Sequence, residues 1–261
     1  MRLRFLGTGT SFGIPVIGCD CATCTSADPR DRRSRHGALL EHEGRRLLID
    51  APPELRLQLL DARVASVDAA WITHCHADHI HGIDDLRAFT ARPPHRSLQL
   101  WAGPDCAHVM RTRFDYIFDE DQRPEAGTSK PELSLHELPL DDDVDIAGFR
   151  VTPVPVTHGR QQPLGLRCGA LGYVTDAKTI PPASLARLAG VQVLVLNALW
   201  HGNPHPTHLN IEEAIQLAHV VGASRTLLTH LTHRVRHAEL AATLPAGIEP
   251  AYDGLVIDIE D

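Results

Sequence analysis

Residues 74–79 constrain this chain more than any other stretch. They read His74-Cys75-His76-Ala77-Asp78-His79, behind Thr73 and the apolar run 69–72. Three imidazoles and a carboxylate so close together are poor core material, because burying unpaired polar groups costs free energy. As metal ligands they make chemical sense, since neutral imidazole and carboxylate suit zinc, manganese or iron. If the ligands alternate between two ions, the His-x-His pair serves one and the Asp-His pair the other. A strand ending in such a loop delivers it to a sheet edge, where other loops can meet it. Three further apolar runs end in the same currency: Val154-Pro-Val-Thr-His158, Gly172-Tyr-Val-Thr-Asp176 and Leu227-Leu-Thr-His230. Alone, a histidine after a strand is ordinary. Four strand ends carrying such groups predict a fold that gathers them at one place.

The rest of the chain offers the strands and helices to do so. Short runs rich in branched residues predict strands over 2–6, 38–41, 46–49, 69–72, 98–101 and 133–138. Further strands are predicted over 149–154, 171–174, 193–196, 226–228 and 255–259. Helical patterns, several opening on proline or an acidic first turn, cover 53–62, 81–90, 104–114, 182–188, 211–220 and 237–244. Strands with helices interspersed suggest two sheets sandwiched between helices. The stretch 114–131 is polar apart from Phe114, Tyr116 and Phe118, and reads as a long surface loop. With no repeat and no linker, the expectation is one domain over 1–261, with 104–131 as a lid on the pocket.

A second cluster lies near the start, in Gly18-Cys19-Asp20-Cys21-Ala22-Thr23-Cys24. Three of the six cysteines are crowded there, and inside a cell close clusters hold metal more often than they form bridges. A structural zinc needs four ligands with no open position. The expected fourth is His233, three residues after His230 in Thr229-His-Leu-Thr-His233. A short turn there would aim His230 into the first cluster and His233 back at the loop 18–25.

Taken together, Thr-His-x-His-x-Asp-His, then a His, an Asp and a last His after strands, resembles the metallo-β-lactamase superfamily over nearly the whole chain. The resemblance implies an α/β (α+β) fold, an αββα sandwich of two mixed sheets flanked by helices, with the site at one sheet edge. It places His74, His76 and His158 on one metal, Asp78, His79 and His230 on another, and Asp176 between them. Asp50, in Leu47-Leu-Ile-Asp50, would brace the metal loop. Two divalent cations, zinc or manganese, would bring a shared water to near-neutral pKa and so supply a hydroxide nucleophile, oriented by Asp78. The cysteine loop after Gly7-Thr8-Gly9, with His-x-x-His near the far end, is similar to one branch, the phosphoribosyl 1,2-cyclic phosphate phosphodiesterases. There the loop and the second histidine hold a structural zinc. The branch also implies a role for His208, in His205-Pro-Thr-His208, as general acid or phosphate contact. It further implies a homodimer. The segment with Arg111, Arg113, Phe114 and Tyr116 matches no motif of the branch, and Arg33 and Arg35 read as solvated.

Several functions remain compatible with these residues. The first is hydrolysis of a small cyclic phosphate or another phosphodiester. A lactonase or thioesterase would use the same two metals on a carbonyl carbon, and fold does not choose between them. RNA processing is disfavoured by the formal charge of −8 and by the lack of a recognisable long arm for RNA. A non-catalytic binding protein would be expected to have lost ligands, and all seven are here. The 43% hydrophobic content lacks a run of about 18 apolar residues, so no membrane span is expected. The start of the chain shows no export signal, which makes the cytoplasm the expected location.

Overall fold

The computed structural model describes residues 1–91 and 97–260. Its first sheet is built from β1 (Arg2–Gly7), β2 (Gly37–His42), β3 (Arg45–Ile49), β4 (Ala69–Ile72), β5 (Leu98–Ala102), β6 (Leu133–Glu137) and β14 (Val256–Asp258). The order across it is β14-β1-β2-β3-β4-β5-β6. A second sheet contains β7 (Val144–Ile146), β8 (Phe149–Pro155), β9 (Leu164–Cys168), β10 (Leu171–Val174), β11 (Val193–Asn197), β12 (Arg225–Thr229) and β13 (Ile248–Pro250). Its order is β13-β12-β11-β10-β9-β8-β7. Both sheets are mixed: β3 to β6 run parallel, as do β10 to β13, while the remaining neighbours are antiparallel.

Burial follows from this layering. Inward residues of the two sheets, among them Phe5, Leu47, Trp71, Val151, Leu166 and Tyr173, form one shared core. The opposite face of the first sheet packs under α1 (Leu55–Asp61) and α4 (Pro104–Arg113). That of the second packs under α7 (Ile211–Val221) and α8 (His237–Thr243). Strands buried on both faces read as unbroken apolar runs, which is why β4, β10 and β11 were conspicuous in the sequence. The chain therefore adopts the αββα sandwich. Helix α7 is bounded by its own sequence. Asn210 and Glu213 form a reciprocal capping box, and Gly222, at φ 74°, ends the helix in the left-handed conformation.

Three local expectations are corrected. The predicted helix 81–90 is instead a 3-10 turn over Ile83–Leu86 followed by the single turn α3 (Arg87–Thr90), and α2 (Ala77–Ile80) precedes it. At the break Gly82 donates its N–H to the Ala51 carbonyl at 2.8 Å instead of to the preceding turn, and a Cβ there would lie 2.0 Å from the Pro52 carbonyl oxygen. The loop 114–131 contains a helical turn, α5 (Asp115–Phe118). Arg33, expected in solvent, is 1% exposed; its Nη1 donates to the Thr8 hydroxyl at 3.1 Å and the Ala251 carbonyl at 2.6 Å. Among the described residues no helix is long and apolar enough to cross a membrane.

Candidate metal centre

The parallel strands deliver the predicted groups to one edge. Asp50 follows β3, Thr73 and His74 follow β4, Asp176 lies two residues beyond β10, and His230 follows β12. His158, beyond β8, joins them. Asp50, Asp176 and His230 all take positive φ, at 62°, 52° and 57°. Such backbone costs free energy outside glycine, and it persists where surrounding structure fixes it, often at functional sites.

Asp50 organises the metal loop from below. Its carboxylate accepts from the Thr73 N–H at 2.8 Å, from the Thr73 hydroxyl at 2.9 Å and from His79 Nδ1 at 2.6 Å. Thr73 Oγ1 in turn lies 3.1 Å from His74 Nδ1. These bonds occupy Nδ1 of both rings and leave each Nε2 facing the site. The His158 ring is fixed similarly, with Nδ1 donating to the Thr207 carbonyl at 2.7 Å. Asp50→Asn keeps size and tolerance of the backbone but removes charge. It is expected to weaken metal affinity about 10- to 100-fold, read by competition with a chromogenic chelator.

The donor atoms converge at ion-sized separations. His74 Nε2 is 2.9 Å from His76 Nδ1. His79 Nε2 is 3.5 Å from Asp78 Oδ2 and 3.4 Å from Asp176 Oδ2, and His230 Nε2 is 3.2 Å from Asp176 Oδ1. Bonds of zinc to nitrogen or oxygen set ligand atoms about 3.4 Å apart around a tetrahedron. One nitrogen supports the fit independently: His79 Nε2 is buried without a hydrogen-bond partner while carboxylates flank it. Close donor sets are His74–His76–His158, His74–His79–Asp176 and His158–Asp176–His208. A divalent metal fits these residues. His208, expected as a proton donor, thus stands inside the donor cluster, its Nε2 2.9 Å from Asp176 Oδ1.

Electrostatics within the cluster favour a positive charge among its carboxylates. Burial opposes charge on Asp176, yet His230 and His79 hold its carboxyl well below the usual range. Burial likewise opposes an imidazolium at His79, and Asp50, Asp176 and Asp78 outweigh it, raising that ring well above its ordinary value. Burial, reinforced by neighbouring His79, keeps His74 neutral, the form a metal requires.

The sulfur cluster is also assembled. Cys19, Cys21 and Cys24 place their Sγ atoms 3.3, 3.5 and 3.7 Å from His233 Nδ1. A zinc tetrahedron of this composition has sulfur–nitrogen edges of about 3.6 Å. The Cys24 N–H, directed at Cys21, lowers that thiol to about 6, while burial pushes Cys24 up to about 11.

Sequence reasoning missed the floor and the rim of the centre. His36 is fully buried beneath it, with ring centroids 5.4 Å from His79 and 6.0 Å from His230, and the Tyr173 hydroxyl is 2.8 Å from its Nε2. Nothing local in the sequence marks His36. Ser11, Arg160 and Gln161 line the cleft of about 360 Å³ above the donors. The closeness of Arg160 to His158 was the available signal.

A model of the beta-lactamase superfamily domain matches residues 45–231. The chain belongs to the metallo-β-lactamase superfamily. It is 37% identical to a crystallised diphosphatase from the PhnP family, covering 99% of this chain and 98% of that one, with a TM-score of 0.90. An octanoyltransferase of Porphyromonas gingivalis is also 37% identical, over 263 residues, but this chain spans only 52% of its length. A ribonuclease Z of Pyrobaculum neutrophilum is 27% identical, over 94% of this chain and 92% of that one. The superfamily member described here is accordingly a hydrolase that resembles the PhnP branch, with His and Asp groups able to bind divalent metal.

Proposed function

We propose that this hydrolase cleaves a phosphodiester or diphosphate bond of a small molecule, small cyclic phosphates included, with zinc or manganese at the His/Asp centre. The observation that carries the reading is end-to-end similarity to a PhnP-family diphosphatase by a chain that also gathers His74, His76, His79, His158 and Asp176 into close donor groups. When bound, divalent metal supplies Lewis acidity toward phosphoryl oxygens and acidifies water. The protein supplies the rest. Thr73 and Asp50 hold the loop rigid, so reacting atoms meet fixed donors rather than mobile ones. Asp78, reaching the cleft floor, is placed to orient the attacking water. Arg160 stands on the rim, where a guanidinium suits a phosphate oxygen. His208 Nε2 lies 2.9 Å from Asp176 Oδ1, which holds the ring beside the reacting atoms in the position of a proton donor to the departing oxygen.

His208→Gln is expected to lower kcat about 100-fold on alkyl phosphodiesters. The loss is expected to be much smaller on p-nitrophenyl esters, whose leaving group needs no proton. An equal loss on both, with lower metal content, would assign His208 to metal binding instead. The sulfur donors of Cys19, Cys21, Cys24 and His233 select a structural zinc in the same reading.

An acyl-hydrolase reading is favoured by the octanoyltransferase relative, although that protein is about twice as long. Purified protein loaded with manganese or zinc should be assayed on bis(p-nitrophenyl) phosphate, ribose cyclic phosphates and a lactone and thioester panel. Turnover confined to the panel would replace the phosphodiesterase reading with the acyl one.

A further inference from the structure

The donor cluster opens onto two clefts, and His76 lines both. The first holds Asp78, His208 and Arg160. The second, of about 640 Å³, is walled by His81, Arg113 and Phe114, and these three play no part in the donor sets. Arg113 is the last residue of α4, and its Nη1 donates to the Cys75 carbonyl at 2.6 Å, between His74 and His76. That bond fixes the guanidinium beside the centre and leaves four of its five N–H donors for other partners. Nearby arginines are committed: Arg111 pairs with Glu137 at 2.9 Å and Arg87 with Asp84 at 2.5 Å. Among the described residues Arg113 makes no ion pair with a carboxylate. Phe114, half-buried, meets the His81 ring edge-on at 5.8 Å and gives the cleft a flat apolar wall.

The phosphorus of a diester carries two ester substituents, and His76 lines both clefts. The two clefts offer one substituent a path toward Arg160 and the other a path toward Arg113. A fixed guanidinium with free, forked donors matches a phosphoryl group best. We propose that the His81–Arg113–Phe114 cleft is a subsite for a second, non-reacting phosphoryl group, so that the preferred substrates are diphosphate diesters. The inference rests on the phosphorus-hydrolase reading above. Water adds its oxygen to the reacting phosphorus, and the bridging P–O bond breaks. The bridging oxygen leaves with its electron pair on the phosphoryl held by Arg113, a weakly basic leaving group that needs no proton from His208 in the first cleft. The water's protons end on the two monophosphate products or in solvent. Phe114 covers the organic group attached to the departing phosphate.

The test compares diadenosine diphosphate, whose symmetry removes any choice of arm, with bis(p-nitrophenyl) phosphate, which has no second phosphoryl. Arg113→Met should lower kcat/KM on the diphosphate about 10- to 100-fold, the loss of a charged hydrogen-bonding contact. The bis(p-nitrophenyl) ester should change less than about threefold, with metal content and Tm preserved, and Arg113→Lys should fall between. An equal loss on both substrates, or loss of metal, would make Arg113 a brace for the metal loop and overturn the proposal. No loss on either would overturn it too. If the wild type cleaves neither of these nor the ribose cyclic phosphates, the phosphorus-hydrolase reading fails separately. Calorimetric titration of diadenosine diphosphate into wild type and Arg113→Met then reads the subsite alone, and equal affinities would refute it.

Discussion

Asp176→Asn should reduce turnover on the order of a thousandfold or more, the largest effect of any single substitution here. Asp176 Oδ1 lies within 3.2 Å of His230 and 2.9 Å of His208, and Oδ2 lies 3.4 Å from His79. One carboxylate therefore touches three of the imidazoles, and its charge is the natural counterpart of bound cations. Several kcal/mol of charge stabilisation pass through such a group, and each ~1.4 kcal/mol is a factor of ten in rate. Asparagine suits the left-handed backbone at φ 52°. The fold should persist, with an unchanged far-UV spectrum, while metal content drops. Retention of full activity and metal would remove Asp176 from the centre.

Cys24→Ser is expected to act on stability. Binding at a structural zinc is folding free energy, since no preformed site exists in the unfolded chain. Cys24 is 8% exposed and belongs to a four-donor set with residues 209 positions apart in sequence. Losing several kcal/mol from a chain of this size should lower Tm on the order of 10 °C. Zinc per chain should fall by one equivalent in metal analysis. A variant with unchanged zinc and unchanged Tm would show that the sulfur loop holds no ion.

How legible all this was depended on whether the information was local. His74, His76, Asp78 and His79 stand together behind a buried strand, and His158, Asp176 and His230 each close an apolar run, so the pattern of candidate donors was on the surface of the sequence. The strands buried on both faces were readable for the same reason. Strand β9, Leu-Gly-Leu-Arg-Cys, was not: Gly165 interrupts it because a Cβ there would sit 2.7 Å from the Tyr173 carbonyl oxygen, a requirement visible only after folding. Strands β7 and β13, three residues each, are too short to show alternation. The burial of Arg33 depends on Ala251, 218 positions away, and His36 depends on Tyr173, 137 positions away. Pairings over such separations leave no periodic trace. His208 was reached through resemblance, and its contact with Asp176 is a matter of three dimensions.

The turn after β12 carries His230 toward the reaction centre and His233 toward the sulfur loop, and Leu231 between them donates its N–H to Thr8 at 3.0 Å. Two donor clusters with different chemical tastes are thus bolted to one five-residue hinge pin, Thr229 to His233. With zinc seated among the thiols as proposed, a soft ion that never meets substrate governs how firmly the last imidazole is aimed. With manganese at the His/Asp centre, starvation for zinc would then silence the enzyme while the ions that act on substrate remain plentiful.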